Sequence, residues 1–307
     1  MFLEEKVVRI GVLMGGISTE RDVSLETGKA IVNNINKKKY EVVPIIIDKK
    51  EDVLAKCNNI DFAFLALHGK FGEDGSVQKI LEVLNIPYSG CNALSSSICM
   101  DKDIAKKIMV SQSIKTPKWI SIKSVNDIDY DYIKKIKYPI FIKPNSGGSS
   151  VATFLVEKDE NVKKAVETVL LYDKIAIIEE YIKGDEITCP ILNGKVLPIL
   201  AIKPKGKFFD LKSKYTDSEA YEYVVNFNEN MQKKIETIAL NAYDSLRCSV
   251  YARVDMIIKD GESYVLEVNT LPGMTKNSLF PKSCNSINID FSTLLDLIIE
   301  YSLKEKR

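Results

Sequence analysis

The absences in this sequence narrow its function first. Cysteine is sparse and scattered: Cys57, Cys91, Cys99, Cys189, Cys248 and Cys284 include no CxxC pair. That argues against a disulfide scaffold or a thiolate zinc site and fits small buried hydrophobes in a reducing compartment. No apolar run approaches the roughly 20 residues of a membrane span. The opening MFLEEKVVRIGVLMGG carries two early acids before a short apolar run, unlike a signal peptide. A soluble, cytoplasmic protein is expected. Charge of one sign is missing too, since 43 Lys and Arg face 42 Asp and Glu for a net +1. A general polyanion binder relies on clustered Lys and Arg, so any anion site here must be local. Gly11, Gly15 and Gly16 do not satisfy GxGxxG, and GxxxxGK[ST] does not occur. Internal repeats and low-complexity tracts are likewise absent.

What is present is a chain of 307 residues, 45% hydrophobic and 28% charged, enough for a large core and two or three domains. Residues 6–100 alternate strand and helix patterns, which predicts an α/β, doubly wound parallel sheet. Ligands gather at the carboxyl ends of such strands. Two loops fall there, Gly15–Arg21 and Leu67–Gly75. The second holds His68, the only histidine. A lone histidine is commonly structural, but its place at a strand end among glycines also suits ligand contact.

The segment around residues 90–115 reads as a helical connector into a second unit, with Lys102 near its start. Beyond it, Lys143–Ser150 (KPNSGGSS) joins two predicted strands. Such a loop can aim successive N–H groups and hydroxyls at phosphate oxygens, with Lys143 supplying charge; a plain flexible hairpin loop is the competing reading. Asn193-Gly194 between apolar runs is a hairpin signal. Residues 207–223 have no periodicity and read as a lid loop.

The stretch around which the rest is arranged is 251–279, YARVDMIIKDGESYVLEVNTLPGMTKNSL. It reads as a hairpin with a three-residue connection, Lys259-Asp260-Gly261. Side chains alternate along a strand. Val254, Met256, Tyr264 and Leu266 then share a core face, and Arg253, Asp255, Glu267 and Asn269 share the other. Hard oxygen ligands of this kind suit Mg²⁺, which completes its shell with substrate phosphates. A two-residue loop would put Asp255 and Glu267 on opposite faces and remove the site. The alternative is a solvated polar face with a surface ion pair. Gly273, in the loop that follows, can bring backbone N–H groups close to a substrate.

These motifs together resemble the ATP-grasp superfamily. Within it, GGxSxERxVS at 15–24, LHGxxGEDG at 67–75, MDK at 100–102, KPNSGGSS at 143–150, KY at 214–215, RVD at 253–255 and LEVNTLPGMT at 266–275 are similar to the D-alanine–D-alanine ligase family. The likeness runs from about residue 6 to 303 in family order, departing at Ala152 where many relatives have glycine. It implies an ATP-grasp fold in three domains: 1–98 for substrate, 99–183 central, and 184–307 with the metal site and lid. It implies two Mg²⁺ ions (Mn²⁺ a possible substitute) on Asp255, Glu267 and Asn269, with Glu267 bridging. ATP would meet Lys102, Lys143, Lys214 and the Ser149–Ser150 loop. Adenine would meet the backbone of Glu179, Glu180, Tyr181 and Ile182, and the ribose Glu186.

The resemblance also implies the chemistry. ATP phosphorylates the carboxylate of a first D-alanine, and the amine of a second attacks the acyl phosphate. Glu20 would bind the first ammonium, with Val23 lining that pocket and His68 near the carboxylate. Arg253 and the Gly273 N–H would stabilise the oxyanion. Ser278 and the Leu279 N–H would take the second carboxylate. Glu20, Ser149 and Tyr215 would form a clasp closing the lid; Tyr215 and Ser149 are both candidates for the path that removes the second ammonium's proton. A homodimer, and no nucleic-acid or membrane partner, is expected. Rival readings are a ligase using D-lactate or D-serine, a biotin-dependent carboxylase of the same superfamily, and a nucleotide-binding regulator without activity. The Lys214-Tyr215 pair favours D-alanine over D-lactate.

Overall fold

Residues 7–148, 151–204 and 220–307 are described in the computed structural model, and their strands fall into three sheets. The first has β1 (Val8–Gly15) between β2 (Tyr40–Ile47) and β3 (Phe62–Leu65), all parallel. Every residue of β3 and Ile10–Gly15 of β1 are buried, as in parallel strands covered on both faces. Helices α1 (Arg21–Asn34), α2 (Asp52–Lys56) and α3 (Ser76–Val83) follow these strands in turn, the alternation the sequence predicts. The chain's last helices close the same core. From α9 (Leu279–Asn285) come Phe280 and Cys284, and from α10 (Phe291–Lys304) Leu294, Leu295, Ile298 and Ile299.

The connector at 90–115 is two helices, α4 (Ala93–Met100) and α5 (Lys102–Ser111). Asp101 divides them: its backbone is extended, and its carboxylate caps α5 by accepting from the Ile104 N–H at 2.9 Å. Lys102 therefore opens a helix. The second sheet is antiparallel, in the order β4 (Trp119–Ile122), β7 (Ala176–Glu180), β5 (Ile140–Pro144), β6 (Phe154–Val156). Its core takes Ile133 and Ile136 from α6 (Tyr130–Ile136) and Val162, Val166 and Val169 from α7 (Asp159–Leu170).

The third sheet is also antiparallel, in the order β11 (Ala220–Val224), β10 (Leu200–Pro204), β8 (Asp185–Leu192), β12 (Tyr251–Lys259), β13 (Glu262–Asn269), with β9 (Lys195–Val196) paired to β8. It is backed by α8 (Glu229–Ser245) and by α4 and α5. The β8–β9 turn is Asn193-Gly194, both at positive φ, as the dipeptide predicts.

The β12–β13 hairpin differs from expectation in an instructive way. Its connection is two residues, Asp260 (φ 51°) and Gly261 (φ 76°), with Lys259 paired to Glu262. By alternation alone that shorter loop separates Asp255 from Glu267. A β-bulge reunites them: Met256 pairs with Val265, Asp255 pairs with Glu267, and Leu266 is left without a partner residue between. One extra residue on one strand inverts the parity of everything beyond it. The core face is consequently Val254, Met256, Val265 and Val268; Tyr264 and Leu266, expected there, are only half-buried.

Gly184, between β7 and β8, is a place where only hydrogen fits. A Cβ there would lie 2.2 Å from the Ile258 carbonyl oxygen and 2.6 Å from Ile257 Cγ2. A backbone oxygen cannot swing aside as a side-chain end can. Gly184→Ala is expected to cost about 1–3 kcal/mol of stability, read as a lower thermal midpoint. An unchanged midpoint would mean that β8 and β12 can separate here without strain.

Candidate functional site

Loops from all three sheets meet at one crevice. Its walls include Glu73 from the loop after β3, Lys102 at the start of α5, Gly147 and Gly148 between β5 and β6, and Glu267 and Asn269 at the end of β13. Motifs separated by up to two hundred residues in sequence are thereby neighbours in space.

The acidic face is ordered around Asp255, which is 8% exposed. Its Oδ1 accepts from Thr188 Oγ1 at 2.6 Å and from Arg253 Nε at 2.9 Å. Its Oδ2 accepts from Arg253 Nη2 at 2.8 Å and from Asn269 Nδ2 at 3.0 Å. The guanidinium thus grips both carboxylate oxygens. Burial works against the Arg253 charge, but Asp255, with Glu267 and Glu73, outweighs it and holds the guanidinium's pKa above its ordinary value. Glu267 stands opposite Asp255, and the Lys102 ammonium lies 3.5 Å from its Oε2. That ammonium also donates to the Gly147 carbonyl at 2.7 Å.

Among the described residues no group of three or more His, Cys, Asp and Glu is arranged to hold a metal. A cation here would have two carboxylates, the Asn269 amide and ligand oxygens. This all-oxygen, incomplete donor set fits Mg²⁺, which binds through one or two carboxylates plus substrate phosphates.

On the first sheet's side, Glu20 precedes α1, and its carboxylate reaches the second sheet's glycine loop. A Cβ built on Gly69 would lie 2.6 Å from Glu20 Oε2, and one on Gly148 3.4 Å from the same atom. Gly69 has φ +68°, so two constraints favour glycine there. Val23 is exposed on α1. His68 is 7% exposed; its Nε2 is 3.0 Å from Thr27 Oγ1 and its Nδ1 3.3 Å from Glu73 Oε1. Both ring nitrogens are therefore oriented by protein groups. The loop bearing it is further fixed by Ser18 Oγ, which donates to the His68 carbonyl at 2.7 Å.

On the second sheet, the Lys143 ammonium donates to Glu179 Oε1 at 2.7 Å, while the Lys106 ammonium lies 2.6 Å from Oε2. Burial pushes the Glu179 carboxyl up, yet the two lysines together hold it below its ordinary value. Further along, the Glu180 N–H is taken by the Lys118 carbonyl at 2.8 Å. Tyr181 leans on Phe141 with ring centres 5.6 Å apart, and Ile182 is buried. Glu186 sits on β8 beside Ile257 of β12.

At the far end, a Cβ on Gly273 would lie 3.0 Å from Ser278 Oγ. That hydroxyl accepts from the Thr275 N–H at 3.1 Å and lies 2.8 Å from Thr275 Oγ1. Leu279 opens α9 directly after it. Ser149, Ser150, Lys214 and Tyr215 lie outside the described residues, as does most of the expected lid.

Three residues of this region were not singled out from sequence. Glu73 lies in a loop, where no periodicity marks a facing side chain. Thr188 reads as one more buried strand residue. Lys106, in KDIAKKIMVS, reads as part of a solvated helix face. Only the contacts distinguish them.

Comparisons with known proteins identify the family. The family model for the D-ala D-ala ligase C-terminus matches residues 108–300, and that for the N-terminus matches 9–56 and 50–91. A D-alanine–D-alanine ligase of Clostridium perfringens is 59% identical over 98% of this chain and 100% of its own length. One from Clostridium botulinum is 58% identical with the same coverage. Among solved structures, the D-alanine–D-alanine ligase of Bacillus anthracis complexed with ATP superposes with a TM-score of 0.90 at 49% identity, covering 98% of each chain. A D-Ala:D-Ser ligase from Enterococcus faecalis gives 0.83 at 32% identity, covering 97% of this chain and 100% of its own. The fold is the ATP-grasp fold expected from the sequence. Matched by both family models and by relatives more than half identical along nearly its whole length, the chain belongs to the D-alanine–D-alanine ligase family.

Proposed function

We infer that this protein joins two D-alanine molecules into D-alanyl-D-alanine through a D-alanyl phosphate, converting ATP to ADP and phosphate. It does so in the cytoplasm as a homodimer, for peptidoglycan precursor synthesis. The observation that carries the reading is the single crevice in which the Asp255–Glu267 face, Lys102 and the glycine loop meet, with Glu20 against that loop. We assign residues 1–98 to substrate, 99–183 to the central part of the nucleotide grasp, and 184–307 to the metal face and lid.

Phosphoryl transfer needs positioning and charge neutralisation more than covalent help. Asp255, Glu267 and Asn269 would hold the Mg²⁺, for which Mn²⁺ is a chemically suitable substitute. Bound there, the metal would offset charge on the transferring phosphoryl group. Lys102, Lys143, Lys214 and the N–H groups around Ser150 hold the phosphates. Glu179, Glu180, Tyr181 and Ile182 border the adenine, and Glu186 accepts from the ribose hydroxyls.

Glu20 pairs with the first D-alanine's ammonium beside Val23, and His68 lies toward its carboxylate. Arg253 gives two of its five N–H donors to Asp255. It thereby presents a fixed guanidinium edge, with the Gly273 N–H, to the oxyanion formed when the second amine attacks. Ser278 and the Leu279 N–H receive the second carboxylate. Ser149 and Tyr215 complete a clasp with Glu20 that shuts out water, which would hydrolyse an acyl phosphate; either can start the path that removes the amine's proton.

A phosphate-release assay with D-alanine, D-serine and D-lactate tests the reading. Release is expected to depend on D-alanine, and stronger stimulation by D-lactate than by D-alanine as second substrate would overturn it. Glu20→Gln removes one charge-assisted contact, so the first substrate's KM should rise roughly tenfold and the second's much less. The second KM should also fall as pH rises toward the amine's own pKa, more steeply than the first. Damage chiefly at the second site would reverse the assignment of the pockets.

A further inference from the structure

Lys106 has no part in the mechanism above, yet it is among the most buried charged groups of the described residues, at 0% exposed. An ammonium this deep is costly unless compensated. Glu179, 1% exposed, already has a partner in Lys143, and those two alone make a complete neutral pair. A second lysine brings the cluster to a net +1.

The Lys106 ammonium is also anchored without Glu179. It donates to Thr116 Oγ1 at 2.6 Å and to the Pro117 carbonyl at 3.4 Å, and it lies 5.4 Å from the centre of the Trp119 ring. Trp119 is itself pinned, since its Nε1 donates to Asp103 Oδ1 at 2.9 Å. It also makes a close ion pair with Glu179 Oε2 at 2.6 Å. The lysine is thus held by groups around α5 as well as by the carboxylate.

We propose that Lys106 is a positioning residue for nucleotide binding: by neutralising Glu179 from behind, it leaves the Lys143 ammonium uncancelled for the nucleotide phosphates. The proposal rests on the reading that Lys143 meets those phosphates. It requires only through-space charge, which is strong where water is excluded.

The groups facing Lys106 are Glu179 on β7, Lys143 on β5, Lys102 on its own helix, and the uncharged Trp119 on β4. Burial pushes the Lys106 pKa down to about 8; Glu179 resists this, while Lys143 and Lys102 add to it. Above that pH the cluster loses its net charge, so the KM for ATP should climb on the alkaline side.

Kinetic constants for ATP and for each D-alanine decide the matter in four variants, with Trp119 emission reporting whether this region is folded. Lys106→Met should raise the KM for ATP about tenfold and leave both D-alanine constants within about twofold. Adding Glu179→Gln to Lys106→Met restores the net +1 and should recover most of the loss. Lys106→Arg should keep ATP binding and flatten its alkaline rise, because a guanidinium does not titrate there. Lys143→Met is the control: an unchanged KM for ATP would defeat the reading of Lys143 itself. If Lys143→Met weakens ATP but Lys106→Met does not, or the double variant is no better than Lys106→Met, the role of Lys106 is structural and the proposal fails alone. Should Lys106→Met not fold, a flat KM for ATP in the unsubstituted protein between about pH 7 and 9 overturns it equally.

Discussion

Glu267→Gln is expected to lower kcat by roughly 10²- to 10³-fold. The change keeps shape and removes one charge. Glu267 stands opposite Asp255 at the point where the bulge brings the two carboxylates onto one face, with Lys102 3.5 Å away. On the proposed reading, a neutral amide there would be a poorer ligand for the cation than a carboxylate, so neutralisation of the transferring phosphoryl group should weaken. The proposed D-alanine contacts lie on other residues, so its KM values should move by no more than about threefold. Steady-state kinetics across a wide Mg²⁺ range provide the check. Turnover near the original level at saturating Mg²⁺ would reduce the acidic hairpin to an ordinary polar surface.

Arg253→Lys comes second. Positive charge is retained, but an ammonium cannot reproduce the planar fork that holds both Asp255 oxygens at 2.9 and 2.8 Å. If Arg253 serves the oxyanion as proposed, that donor edge is lost and kcat should fall by about 10²-fold. Asp255 loses part of its pairing in a mostly buried position, so a stability loss of about 1–3 kcal/mol should accompany it. The two consequences are separable. Thermal melting reports the second, and kcat measured well below the melting range reports the first. A lower midpoint with unaltered kcat would leave Arg253 as a strut for Asp255 and nothing more.

The hairpin shows how far alternation carries. That Arg253, Asp255, Glu267 and Asn269 share a polar face could be read from the chain, and the pairing of Arg253 with Asn269 and Asp255 with Glu267 bears it out. The route to that face differs: alternation implies a three-residue loop, whereas a two-residue turn plus a bulge at Leu266 gives the same result. A bulge leaves no periodic signature because it is itself a break in the period. Likewise the long connector was legible as helix, while its division at Asp101, which sets Lys102 at the mouth of the crevice, depends on one capping carboxylate.

The order of strands and helices, the Asn193-Gly194 turn, and the family are written in motifs whose residues are local to one loop or strand each. Those features depend on neighbours within a few positions, so the chain states them directly. Which of the motifs touch depends on packing across the whole chain. Glu20 reaches Gly148, Thr188 reaches Asp255, and Lys106 shares Glu179 with Lys143. These pairs are far apart in sequence and meet because three separately built sheets converge on one crevice. A lysine in a helix is spelled the same whether it faces water or a buried carboxylate; the packing around α5 makes Lys106 the latter.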